Sequence, residues 1–321
     1  MQINFIKNLR CPYSGEKLNF EARLVRGNRV IEGNLCTPTN KYLIKNGIPR
    51  FVVSDDYTKS FTYEWKKWSN VQFDSKNINL PMEGYTQNMF SKITDFDFKR
   101  LDKKIVLDLG SGPGRFSEIA LKYGATVVAV DYSYAIDVLK KNFNKKNLNI
   151  IPIQCDASKL PFKDNFFDYC FSIGVLHHTK NPLDCCKEVN RVLKKKGFFS
   201  LAVYEKKTYY DRLSVMIWRK FFNFFWIFFK HYPAITYTYF FVNLHWYFLN
   251  KIKLVSNCFK LFFPVIMLRD KNWSYLDTFD SLTPHYASAH NEKDIIKWLK
   301  YSNFKKIKKT FWGNISFKAQ K

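Results

Sequence analysis

IVLDLGSGPGRFS, residues 105–117, joins a run of strand-forming residues to an acid and then to glycines at alternate positions. Ile105, Val106 and Leu107 suit a strand covered on both faces. Gly110, Gly112 and Gly114 suit a backbone that turns sharply and lets a ligand come close. From Arg115 the pattern predicts a helix whose first N–H groups point back at the same place. A dinucleotide fingerprint, G-x-G-x-x-G, would need glycine where Arg115 stands, so the spacing speaks against the nicotinamide template.

Outward from this turn, helical and strand patterns alternate. Helices are predicted near 115–123, 135–143 and 182–193, and strands near 126–130, 148–154, 166–172 and 198–204. This rhythm predicts an α/β fold: a doubly wound, mainly parallel, Rossmann-like sheet with its ligand at the carboxyl ends of the strands. Asp131 closes the second strand, where a carboxylate can accept from both ribose hydroxyls; a capping acid beside Ser133 is the plainer reading. Asp156 and Ala157 follow the third strand.

The D-x-G-x-G-x-G order of Asp108, Gly110, Gly112 and Gly114 resembles the first motif of class I S-adenosylmethionine (SAM)-dependent methyltransferases. Leu160-Pro161-Phe162, Phe167-Asp168, Val175-Leu176-His177-His178 and Lys196-Gly197 follow in the order of a subfamily that includes quinone-biosynthesis C-methyltransferases. The resemblance is strongest over 105–205. It implies SAM as cofactor, met by Asp108, Gly110, Ser111, Gly112 and Gly114 of the turn. Asp131 and Tyr132, Asp156 and Ala157, and Ile173 are implied as the remaining contacts. His178, and after it His177, stand at the sheet edge where a methyl acceptor would arrive, and an imidazole there could take its proton.

Residues 1–53 read as a small β-rich domain. Cys11-Pro12-Tyr13-Ser14 and Cys36-Thr37-Pro38-Thr39 look like two halves of a zinc ribbon in which hydroxyl residues replace the second cysteines. The unit resembles the small partner proteins of tRNA and rRNA methyltransferases. With two cysteines left, a metal-free ribbon packed by its own apolar residues is expected, and no metal. Residues 54–94 read as a helical linker that helps cover the cofactor, with aromatics at Phe61, Tyr63, Trp65 and Trp68. The core is expected over 95–205, a helical aromatic-rich insertion over 206–270, and a returning loop, helix and last strands over 271–321. In that loop Asp277, Asp280, Thr283, His285 and Tyr286 form a polar cluster, with His285 and Tyr286 as reserve catalytic residues. Asn291 is expected to cap the helix that follows.

The chain has 321 residues and a formal charge of +25, with its lysines spread along the sequence. Seven cysteines in no regular framework, and no long apolar core in residues 1–9, point to a reduced, cytoplasmic setting. The insertion reads as poor for spanning lipid. It is expected either to be a lid or to lie on the inner face of a membrane through residues 213–267. The expected function is methyl transfer from SAM to a small molecule: a lipid-linked or quinone-like acceptor, or a cell-surface sugar precursor. The alternatives are an RNA methyltransferase, favoured by the charge, and a non-catalytic SAM-binding scaffold.

Overall fold

Runs of β-branched residues build one sheet with a parallel centre, in a computed structural model that describes residues 1–52, 56–144, 150–312 and 314–321. Its strands are β1 (Asn19–Arg26), β2 (Arg29–Cys36), β3 (Lys41–Lys45), β4 (Ile48–Arg50), β5 (Ile105–Leu109), β6 (Thr126–Asp131), β7 (Ile150–Gln154), β8 (Phe167–Ile173), β9 (Leu193–Val203), β10 (Lys305–Trp312) and β11 (Asn314–Gln320). They lie in the order β1-β2-β3-β4-β7-β6-β5-β8-β9-β11-β10. Neighbours pair in parallel from β4 across to β9, and antiparallel at both ends of the sheet. The chain leaves β5 in one direction for β6 and β7, then crosses back to β8 and β9. That reversal beside β5 is where an open α/β sheet leaves a crevice.

The helices are α1 (Ile3–Ile6), α2 (Lys59–Lys67), α3 (Tyr85–Thr94), α4 (Arg115–Lys122), α5 (Ala135–Asn144), α6 (Pro182–Val192), α7 (Leu213–Phe229), α8 (Tyr232–Tyr247), α9 (Lys253–Phe262), α10 (Lys271–Leu282) and α11 (Glu292–Tyr301). Phe90, Ile119, Leu139 and Phe143 of α3, α4 and α5 bury one face of the central strands against Val106 and Val127. Val189 of α6 and Ile295 and Leu299 of α11 bury the other, against Leu107 and Val128. Asn291 caps α11 as expected: its side chain accepts from Asp294 N–H, and the Asp294 carboxylate accepts from Asn291 N–H. Residues 148 and 149 of the expected third strand lie outside the described residues, as does the expected boundary near residue 53.

The N-terminal strands do not form a core of their own. Leu9, Val30, Leu35 and Ile44 pack in one cluster with Val130, Ile153 and Phe162 of the main sheet, so the expected self-packed ribbon is instead an extension of it. Cys11 Sγ lies 3.1 Å from the Tyr42 hydroxyl, and Cys36 ends β2. The join is polar. Phe51 N–H donates to Gln154 O at 2.8 Å. Arg50 forks onto the Asp137 carboxylate at 2.7 and 3.0 Å and reaches Gln154 Oε1 at 2.8 Å.

The segment expected as a loop over 273–290 begins instead with α10. Asp270 caps it by accepting from Trp273 N–H at 3.0 Å. Ser274, Tyr275, Thr278 and Ser281 are buried along with Trp273, Leu276, Phe279 and Leu282. A helix covered on every side carries no amphipathic stripe, which hides it from periodicity.

Arg50→Ala strips Asp137 and Gln154 of a charged donor and is expected to cost about 1.5–3 kcal/mol. It should appear as a lower urea midpoint. An unchanged midpoint would show that the apolar cluster alone holds the N-terminal strands.

Candidate functional site

A cavity of about 270 Å³ lies at the carboxyl ends of the parallel strands. The turn after β5 forms its floor. Gly110 adopts φ +79°, and a Cβ there would stand 2.3 Å from Val175 Cγ1, so only glycine lets the ends of β5 and β8 come together. Gly110 and Ser111 N–H both donate to Val130 O, Gly112 N–H to Asp131 Oδ2 at 2.8 Å, and Gly114 N–H to Ser111 O; Pro113 has none to give. These four amides are engaged within the protein, unlike the open glycine turn of a dinucleotide site.

Polar side chains line the cavity beside the turn. Ser111 Oγ is buried without a partner at the cavity wall. Asp131 faces the cavity too; its carboxylate also accepts from Ser133 N–H and Oγ at 2.8 and 2.7 Å, so the capping arrangement and the cavity position coexist. Burial raises its pKa, opposed by those hydrogen bonds. Tyr132, Asp156, Ala157 and Ile173 line the same cavity.

Two residues of the motif do not reach that wall. The Asp108 carboxylate turns to Ser117 Oγ at 2.6 Å, and burial pushes it up to about 7. Gly114, at φ +98°, is needed for packing: a Cβ would meet the Phe143 ring at 2.4 Å.

The aromatic segment ahead of the core forms a roof. Tyr57, Phe61 and Trp65 recur every fourth residue and face the cavity, with the Trp65 indole 3.3 Å from where a Gly112 Cβ would stand. Tyr57 packs on Tyr132 at 4.7 Å, and Phe61 on His178 at 5.1 Å. The rest of the roof is α10, through Trp273, Leu276, Asp277 and Asp280. Within the expected insertion, Tyr210 lines the cavity, while α7 and α8 back α10 from behind through Val215, Phe222, Ala234 and Val242 against Leu276 and Phe279.

His177 and His178 both line the cavity, in opposite tautomers set by the main chain. His178 Nδ1 lies 2.7 Å from Tyr286 O, which can only accept, so the proton is on Nδ1 and Nε2 is an acceptor. His177 Nδ1 accepts from Tyr204 N–H at 3.3 Å, so its Nε2 carries the proton, buried and without a partner. Burial lowers both, His178 to about 3. His285 and Tyr286 are not part of the wall; Tyr286 contributes its carbonyl to His178 and its ring to Tyr57 at 5.4 Å. The tail reaches the site through Asp277 and Asp280 instead.

Residues 107–201 match the methyltransferase-domain family. An uncharacterised protein of Methanocaldococcus jannaschii is 28% identical over 205 residues, 63% of this chain and 83% of that protein. The malonyl-[acyl-carrier protein] O-methyltransferase of Legionella pneumophila is 28% identical over 149 residues, 45% of this chain and 48% of its own. The ubiquinone biosynthesis O-methyltransferase of Coxiella burnetii is 38% identical over 104 residues, 31% of this chain and 44% of its own. The chain thus spans less than half the length of these two relatives of named activity. The matched segment is a SAM-dependent methyltransferase domain with SAM as its methyl donor. The cavity suits that donor: it offers an unpartnered hydroxyl at Ser111 and carboxylates at the ends of β6 and β7.

A methyl group at Gly110 must displace Val175, a strain of about 1–3 kcal/mol. Gly110→Ala is therefore expected to weaken SAM binding about 5- to 150-fold by calorimetry. Wild-type affinity in this variant would remove the turn from the donor site.

Proposed function

We propose that the chain transfers the methyl group of SAM to a small-molecule acceptor entering beside His177, His178 and Tyr204. The reading is carried by one observation: the cavity at the switch point of a methyltransferase domain is roofed by α2 and α10. An RNA strand would have to displace that roof to bring a base to the floor, which favours a small acceptor despite the +25 charge.

SAM supplies an electrophilic methyl on a sulfonium, and transfer needs mainly alignment, worth on the order of 7–11 kcal/mol. Asp131 and Asp156 are the residues we assign to the donor's ribose and adenine ends, and Ser111 to a polar contact at the turn. Tyr57, Phe61 and Trp65 exclude water above it. His178 Nε2, neutral at physiological pH, is assigned as a hydrogen-bond acceptor that orients the second ligand.

The outer face of the insertion supports a lipid-linked or lipid-soluble acceptor. No Asp or Glu occurs between Asp211 and Asp270, while Arg212, Lys220, Lys230, Lys251, Lys253 and Lys260 do. Leu213, Phe224, Ile227, Phe228, Phe248, Leu254 and Phe262 are exposed on α7, α9 and the segment between α8 and α9, Ile227 by 79%. Among the described residues no helix is long and apolar enough to cross a membrane. Cationic and aromatic residues together suit an anionic bilayer surface. The relatives named for malonyl-[acyl-carrier protein] and for ubiquinone biosynthesis are consistent with a carried or lipid-soluble acceptor.

Methyl-labelled SAM, incubated with the protein and separated lipid, soluble and RNA fractions of a cell extract, should label the lipid or the soluble fraction. Label confined to RNA would overturn the small-molecule reading. Vesicles containing phosphatidylglycerol should float the protein at low salt and release it at high salt, and Ile227→Asp should weaken flotation. Absence of flotation would make the acceptor water-soluble.

A further inference from the structure

Part of the cavity wall carries polar groups not assigned to the donor above. Asp156, Asp131 and Gly110 follow or close β7, β6 and β5, so the ground beside β8 and β9 is left for the second ligand. There α10 turns Leu276, Asp277 and Asp280 onto the cavity at helical spacing. Asp280 Oδ2 accepts from the Tyr204 hydroxyl at 3.2 Å, and Oδ1 has no partner among the described residues. The Tyr204 ring lies between Tyr210 at 3.6 Å and His177 at 3.7 Å, so its hydroxyl is fixed. Gln72 uses Nε2 on Asp277 and leaves Oε1 buried and unpartnered on the same wall. His177 Nε2–H is a second unpartnered polar group there. An idle acceptor and an idle donor, each on a side chain more than nine-tenths buried, point to a polar ligand between them.

Resting on the methyl-transfer reading, we propose that this part of the cavity binds the hydroxyl of an oxygen acceptor, and that Asp280, positioned by Tyr204, is the base that takes its proton. The step balances. The acceptor O–H proton passes to Asp280 Oδ1, the oxygen lone pair forms the bond to the methyl carbon, and the methyl–sulfur bond breaks with its electron pair on sulfur. The sulfonium charge and the carboxylate charge are both discharged.

Asp280 is faced by Tyr204 at the end of β9, Tyr210 ahead of α7, Arg115 on α4, Arg219 on α7, Glu64 on α2 and Asp277 on its own helix. Glu64 is fully buried with neither oxygen partnered, and burial raises its carboxyl well above the usual range. Burial pushes Asp280 up to about 6, restrained by the Tyr204 hydroxyl, Arg115 and Arg219. It is ionised at neutral pH yet basic enough to receive a proton as the O–H bond breaks. His178, at about 3, is far weaker.

Wild type, Asp280→Asn and Tyr204→Phe are titrated with SAM by calorimetry. They are then given methyl-labelled SAM with catechol, phenol or glycerol as oxygen acceptors and aniline as a nitrogen acceptor. Wild type should place label on oxygen, with kcat/KM rising with pH to a plateau above a midpoint near about 6, because the carboxylate form is the active one. Asp280→Asn should keep its SAM affinity and lose about 10²-fold or more in kcat. Tyr204→Phe keeps the ring stack, removes the hydroxyl and should move the midpoint upward; this variant carries the test if Asp280→Asn does not fold. Wild-type turnover by Asp280→Asn, an unshifted midpoint in Tyr204→Phe, label on aniline alone, or no product from wild type that binds SAM each overturns the proposal. A wild type that does not bind SAM overturns the methyl-transfer reading itself.

Discussion

The close approach of Gly110 to Val175 is the constraint from which the site follows. A side chain at 110 would stand 2.3 Å from Val175, so glycine alone lets the carboxyl ends of β5 and β8 converge where the strand order reverses. Convergence there forces the backbone to fold back under β6, and Val130 O collects two amides from the turn. The N–H groups of Gly110, Ser111, Gly112 and Gly114 are thus engaged within the protein, and Ser111, Asp131 and Asp156 stand as polar side chains on the cavity wall beside them.

The roof also brings acids onto the cavity. Asp277 and Asp280 are half-buried, and desolvation pushes them up to about 7 and about 6. Their partners are sparse: one amide from Gln72 and one hydroxyl from Tyr204. A protein that carries +25 overall and yet lines its cavity with acids separates two electrostatic tasks, one outside at long range and one inside at contact.

The sheet was legible because parallel strands buried on both faces announce themselves as apolar runs, and the acid or glycine that ends each run marks the ligand edge. Gly110, Gly112, Asp131, Asp156 and the His177-His178 pair could be placed on that edge from spacing alone, and the cavity wall contains them. A motif does not separate contact from packing: Asp108 and Gly114 stand in it beside Gly110, yet one hydrogen-bonds Ser117 and the other makes room for Phe143. What spacing could not reach were the groups brought in by tertiary structure. Asp277 and Asp280 sit on a helix without a polar face. Gln72 and Arg115 meet them only after α2, α4 and α10 have packed. His285 and Tyr286 looked equally promising in the sequence, but α10 ends at Leu282, and the chain beyond it passes outside the cavity wall.

Because α10 is shared, the cavity and the aromatic helices are not separate features. Leu276 and Asp277 are successive residues on it: Asp277 faces the cavity, and Leu276 touches both the cavity and the cluster that holds α7 and α8. Arg219 joins the two sides, since it projects from α7, donates twice to Ser281 O at 3.1 and 2.8 Å, and lies near enough to Asp280 to lower its pKa. A buried guanidinium bound to the C-terminal turn of α10 seats that helix and, after Tyr204 and Arg115, helps to hold down the pKa of its last cavity-facing acid. The exposed aromatic helices and the acid in the cavity are thus joined through Arg219 as well as through the packing of Leu276 and Phe279 against Val215 and Phe222.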